Sequence, residues 1–207
     1  MPSDERQANQ PLAGLVEDVL SCRACVLAGY LRVANPIRPT LLREPRMVLI
    51  GQAPGPVTNR KGYHFAGPAG TFLGAWLERA GFSQSYFREQ VYLTSLTRCF
   101  PGKSGSGNGD RPPSAGEIAL CRRFLDRELA AVQPRVVLLV GKMAIDAFLG
   151  KQPLEATVGQ VFERNGRLLV PLPHASGVSR WLNTPAHRAL LDQALRELSR
   201  LRVELNL

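Results

Sequence analysis

The chain has 207 residues, enough for one well-packed domain and too few for two large ones. Its 26 basic residues outnumber 17 acidic ones for a formal charge of +9, and four of the 26 are Lys, so the excess is arginine. A composition 44% hydrophobic excludes a disordered polyelectrolyte, and the charge points to a polyanionic partner, although arginine-rich coding would give the same bias.

Residues 1–10 are polar, carry no apolar export stretch and read as a disordered tail, so a cytoplasmic location and one domain over 11–207 are expected. Leu12, Leu15, Val16, Val19 and Leu20 recur at helical spacing up to Cys22. The run 46–50 is a buried strand that breaks at the loop from Gly51 through Gln52, Ala53 and Pro54 to Gly55. A helix follows over 69–80, with Phe72, Leu73, Trp76 and Leu77 on one stripe and Gly81 as its stop, and then a strand over 91–96.

The segment 101–113 holds four Gly and three Pro and reads as a flexible surface loop. Ser114 and Glu117 form a capping box that launches a helix to about Val132. The apolar run 135–140 is a strand covered on both faces, turning at Gly141 into a short helix. A weaker pair, 158–163 and 167–172 across Asn165 and Gly166, predicts a hairpin that delivers Pro173 and His174. Thr184 and Pro185 open the last helix, which buries Leu191, Ala194, Leu195, Leu198 and Leu201. No apolar run approaches the length of a membrane span.

This order predicts an α/β fold, a three-layer α/β/α sandwich with a mostly parallel, four-stranded central sheet. In such sheets a site forms outside the carboxyl ends of the strands, at 51–55, 95–99, 141–142 and 174–183. Cys22, Cys25, Cys99 and Cys121 form a set of four thiols suited to zinc or a cubane iron–sulfur cluster. One close pair instead of two tilts the reading toward iron–sulfur, with four ordinary buried thiols as the bland alternative. Lys142 at a helix start suits a phosphate.

Together these motifs resemble the uracil-DNA glycosylase superfamily, most closely its iron–sulfur branches, families four and five. Gly51–Gly55 resembles the first family-four motif, 65–70 resembles its following Phe- and Gly-bearing pattern, and the four Cys match the cluster ligands. Arg111, Pro112, Pro113 and Glu117 resemble the segment leading to the fourth ligand. The resemblance implies a 4Fe-4S cluster, with zinc the alternative, and a monomer acting on DNA containing deaminated bases. It makes Phe65 the aromatic that stacks on an extruded base, the glycine loop its cradle, and His174 the donor to the departing base. A plain core role is the alternative for Phe65. Ser176, Arg180, Trp181, Leu182 and Asn183 then belong to a loop entering the minor groove, with Trp181 or Leu182 as a wedge, unless Trp181 packs on its own core.

Two departures bear on mechanism. Ser95 stands where family four has a base-reading Asn, and Gln52 stands where Glu is usual, so the expected general base is absent. Gln52 or Asn59 is left to position the attacking water, with broadened base choice including uracil, hydroxymethyluracil and hypoxanthine. The expected function is a monofunctional DNA glycosylase, the alternative a metal-containing DNA- or RNA-binding protein with weak or no catalysis. A phosphate-loop enzyme is disfavoured, because Gly51–Gly55 lacks the Lys and Ser/Thr of such a loop.

Overall fold

The structure, a computed structural model, describes residues 10–42, 44–105, 109–176 and 180–207. Apart from Gln10, which opens the first helix, the expected tail lies outside the described residues, as do 106–108 and 177–179. Helices α1 (Gln10–Ser21) and α2 (Ala24–Leu27) precede β1 (Met47–Gly51), followed by α3 (Pro56–Lys61), α4 (Pro68–Arg79), α5 (Tyr86–Glu89) and β2 (Val91–Ser95). Then come α6 (Ala115–Val132), β3 (Val136–Val140), α7 (Lys142–Leu149), β4 (Phe162–Arg164), β5 (Arg167–Leu172) and α8 (Pro185–Leu205), with 3-10 turns at Leu154–Ala156 and Arg180–Asn183.

The sheet order is β2-β1-β3-β5-β4, with the first four strands parallel. Every residue of β1, β2 and β3 is buried, as uninterrupted apolar runs require when helices cover both faces. Side chains alternate between two cores: Met47, Leu49, Val136 and Leu138 pack under α4 and α8, while Val48, Ile50, Val137 and Leu139 pack under α1, α6 and α7. The three-layer α/β/α expectation is therefore met, but the sheet has five strands, not four. The extra strand is β4, three residues paired antiparallel to β5 across Asn165 and Gly166, both at positive φ as a tight hairpin demands.

Capping follows the sequence. Ser114 accepts from Glu117 N and the Glu117 carboxylate accepts from Ser114 N, closing the capping box of α6, and Thr184 caps α8. In 101–113, Lys103 and Asp110 form an isolated antiparallel bridge, and Arg111 N donates to Gly102 O, so the base of this segment is pinned. Among the described residues no helix is long and apolar enough to cross a membrane.

Candidate active site

Parallel strands bring Gly51, Ser95, Gly141 and the residues after β5 to one edge of the sheet. Leu96 N donates to Gly51 O and Gly141 N donates to Leu172 O, which ties neighbouring strand ends together there. At this edge the Phe65 ring lies on Gly51: a Cβ on Gly51 would sit 2.8 Å from Phe65 Cζ. Only glycine permits that approach.

Phe65 itself is held in a left-handed backbone, φ 53°, unusual for a bulky residue. Arg88 supports it, Nη1 donating to His64 O at 2.8 Å and Nη2 to Phe65 O at 2.5 Å. Gly70, inside the first turn of α4, leaves room for that carbonyl, since a Cβ there would meet Phe65 O at 2.0 Å. The ring also packs edge-on to Phe87, so Phe65 is partly a core residue with one aromatic surface at the sheet edge. Thr58 of α3 accepts from Ala66 N and fixes the next residue.

His174 follows β5, exposed at the surface and close against Gly141, whose Cβ would lie 3.3 Å from the imidazole Cδ2. Its Nδ1 is 3.0 Å from Ser176 Oγ. Desolvation by the surrounding protein lowers its pKa, which favours neutral imidazole.

Other expected residues have partners of their own. Asn59 Oδ1 and its backbone oxygen both accept from Asn35 Nδ2, so Asn59 fastens the segment before β1 to α3 and its acceptor is committed. Ser95 is buried and its hydroxyl donates to Thr97 O at 2.7 Å, which leaves no proton to donate to a base. The Lys142 ammonium pairs with both oxygens of Asp146 one turn on, a local ion pair instead of an open phosphate site. Gln52 is half-buried beside Gly51, and among the described residues its carboxamide has no hydrogen-bond partner.

Trp181 takes the inward position. Its ring stacks on His187 at 4.2 Å, Nε1 donates to Glu155 Oε1 at 2.8 Å, and both Trp181 and Leu182 pack against the core under α8. Arg188 donates to the carbonyls of Leu182 and Asn183. A wedge role for Trp181 or Leu182 would need these contacts broken; Arg180 is exposed on the same segment. His187, Glu155 and Arg188 carried no sequence signal, because their partners come from a stack and carbonyls spread over 30 residues.

Cys22 follows α1, Cys25 lies in α2, Cys99 follows β2 and Cys121 lies on α6. Each lies within electrostatic reach of others in the set: burial first, then Cys121, Glu117 and Cys22, push Cys25 up to about 11. Burial pushes Cys99 up to about 12, against a lowering by the Asn35 N–H, with Cys121, Cys25 and Cys22 adding to the rise. Burial also raises Cys121, whose Sγ accepts from Arg98 N at 3.4 Å. Cys25, Cys99 and Cys121 resist ionisation, and with Cys22 they are a donor set that a soft cation would neutralise. Among the described residues, however, no three ligating side chains are already closed to metal-holding geometry.

Beneath this edge lies a fully buried ion pair. Arg98 Nη2 meets Glu128 Oε2 at 2.5 Å with both side chains 1% exposed, Thr94 donates to the same oxygen, and Arg98 Nη1 reaches Ser95 O. Arg98 thus touches the Cys121 sulfur through its amide and the end of β2 through its guanidinium.

One carboxylate reaches the glycine loop from a direction the sequence concealed. Asp110 Oδ2 lies 3.9 Å from where a Gly55 Cβ would stand, while Oδ1 pairs with Lys103 at 2.8 Å.

The sequence profile of the uracil DNA glycosylase superfamily matches residues 40–199. A type-4 uracil-DNA glycosylase of Archaeoglobus fulgidus is 30% identical over 159 residues, 74% of each chain, and one of Thermotoga maritima is 26% identical over 179 residues, 85% of this chain and 87% of the relative. A type-5 uracil-DNA glycosylase of Pyrobaculum aerophilum is 32% identical over 128 residues, 56% of this chain and 53% of the relative. With the profile covering the whole sheet, and with Phe65 on Gly51 and His174 on Gly141 at its carboxyl edge, the chain belongs to the uracil DNA glycosylase superfamily.

Proposed function

We propose that this DNA glycosylase hydrolyses the N-glycosidic bond of uracil and other deaminated bases in DNA, acting as a monofunctional, monomeric enzyme. The observation that carries the reading is the strained Phe65, clamped by Arg88 so that its ring covers Gly51 at the strand ends. An extruded base loses its stacking neighbours and needs an aromatic surface of this kind. Catalysis of this reaction needs the negative charge developing on the leaving base to be stabilised. His174, whose lowered pKa favours the neutral form, suits that purpose: in the tautomer protonated at Nε2, Nδ1 accepts from the Ser176 hydroxyl 3.0 Å away and the Nε2 proton is left for a base oxygen. Arginine excess and exposed Arg60, Lys61 and Arg180 suit the phosphate backbone.

Cys22, Cys25, Cys99 and Cys121 would hold a 4Fe-4S cluster, with zinc the less favoured metal; when bound, it would supply structural cross-linking of α1, α2, the end of β2 and α6. The test is excision from oligonucleotides, duplex and single-stranded, carrying uracil, hydroxymethyluracil, hypoxanthine or xanthine. Release of uracil, lost in His174→Ala with duplex binding retained, is expected. No product from any lesion would leave a DNA- or RNA-binding protein instead.

A further inference from the structure

Hydrolysis at an anomeric carbon gains from a carboxylate that orients water and faces the cationic sugar, and Gln52, Asn59 and Ser95 supply none. The geometry points to Asp110 as the carboxylate that holds the attacking water, an inference that rests on the glycosylase reading above. The glycine loop has two ends: Gly51 lies under the Phe65 ring, and Gly55 lies beside Asp110. A nucleotide laid along this loop with its base on Phe65 and its sugar toward the other end of the loop would bring C1′ to the Gly55 side, where Asp110 lies. A side chain at Gly55 would meet Asp110 Oδ2 at 3.9 Å, so glycine there keeps the carboxylate's approach to the loop open.

The placement is built, not incidental to a loose loop. Asp110 is bridged to Lys103, Ser104 N donates to Gly109 O, and Arg111 N donates to Gly102 O. The next side chain, Arg111, forks onto both oxygens of Glu117 at 2.7 and 2.8 Å, which fixes this bridged segment to the start of α6. Lys103 holds one carboxylate oxygen and leaves the other toward the loop, and the Asp110 side chain is 36% exposed, open to water.

In the step, the C1′–N bond breaks and its electron pair leaves on the base. The oxygen of water bonds to C1′ while one of its protons passes to Asp110, which then returns it to solvent or to the released base. The products are an abasic sugar and the free base, and no other co-reactant is needed.

The experiment compares wild type, Asp110→Asn, Asp110→Glu and Lys103→Met in single-turnover excision of uracil, with duplex binding measured on each. Asp110→Asn should lose roughly 100-fold or more in rate and keep its affinity for DNA. Asp110→Glu should recover part of that rate, which loss of a merely structural contact would not predict. Lys103→Met, which removes the ion pair but not the carboxylate, should stay within about tenfold of wild type. Asp110→Asn near the wild-type rate, or Lys103→Met falling as far as Asp110→Asn, overturns the proposal while glycosylase activity stands. Wild type inert on every lesion overturns that reading and this proposal together.

Discussion

Arg88 donates to the carbonyl oxygen of Phe65, so the residue that presents the stacking surface is gripped through its backbone by a side chain 23 positions away. The same guanidinium lies 5.4 Å from the Tyr63 ring centroid and 4.8 Å from that of Phe87, which fixes its direction. The left-handed conformation of Phe65 is thus over-determined from outside, the condition under which local strain persists.

Removing the grip should therefore affect turnover more than folding. A hydrogen bond to a charged group is worth about 1.5–3 kcal/mol, so Arg88→Met is expected to lower kcat/KM roughly 10- to 100-fold. Gly70→Ala attacks the same carbonyl from the other side and should act in the same direction, because its Cβ would collide with Phe65 O. Excision kinetics beside a far-ultraviolet spectrum and a melting curve check both. Wild-type kinetics in Arg88→Met would show that Phe65 needs no such support.

How much of this was legible in the sequence follows from the range of each interaction. The strands at 47–51 and 136–140 were readable because burial on both faces leaves a continuous apolar signature, and α6 because Ser114 and Glu117 are three residues apart. Helix α3, six residues long, is too short for a periodic pattern, and β4 pairs over only three residues. Phe65, Gly51 and His174 were singled out through motif order, but the Arg88 clamp and the position of Asp110 beside Gly55 depend on tertiary approach. A polar loop composition hid Asp110, since Gly and Pro content reports local freedom and not where a pinned base places its one acid.

The four thiols give a sharp metal prediction. Protein prepared without oxygen should be brown and carry about four iron and four sulfide per chain, and Cys121→Ser should lose the colour. If the metal ties α1 and α2 to α6, its removal should expose the exposed Arg23 and its neighbours between Cys22 and Cys25 to trypsin before the sheet is cut. Colourless protein with stoichiometric zinc would assign the site to the other metal. Cysteines that take neither metal would return the set to ordinary buried thiols.

His64 gives a stability prediction with a definite sign. It is 4% exposed, its Nε2 has no hydrogen-bond partner, and burial first, then the nearby positive Arg98, bring its pKa down to about 3. The unfolded chain binds a proton at this residue below its ordinary value of 6.5, and the folded chain does not until near 3. Stability contributed by this group is therefore complete above pH 6.5 and is lost as pH falls toward 3, with a limiting slope of about 1.4 kcal/mol per pH unit. Between pH 6.5 and 5 the loss from this residue should reach about 2 kcal/mol. His64→Leu removes the titration without removing a hydrogen bond at Nε2, so its stability should lie close to wild type at pH 7 and exceed it at pH 5. Urea unfolding of both proteins at the two pH values measures the difference. Parallel losses in the two would place the acid sensitivity elsewhere than His64.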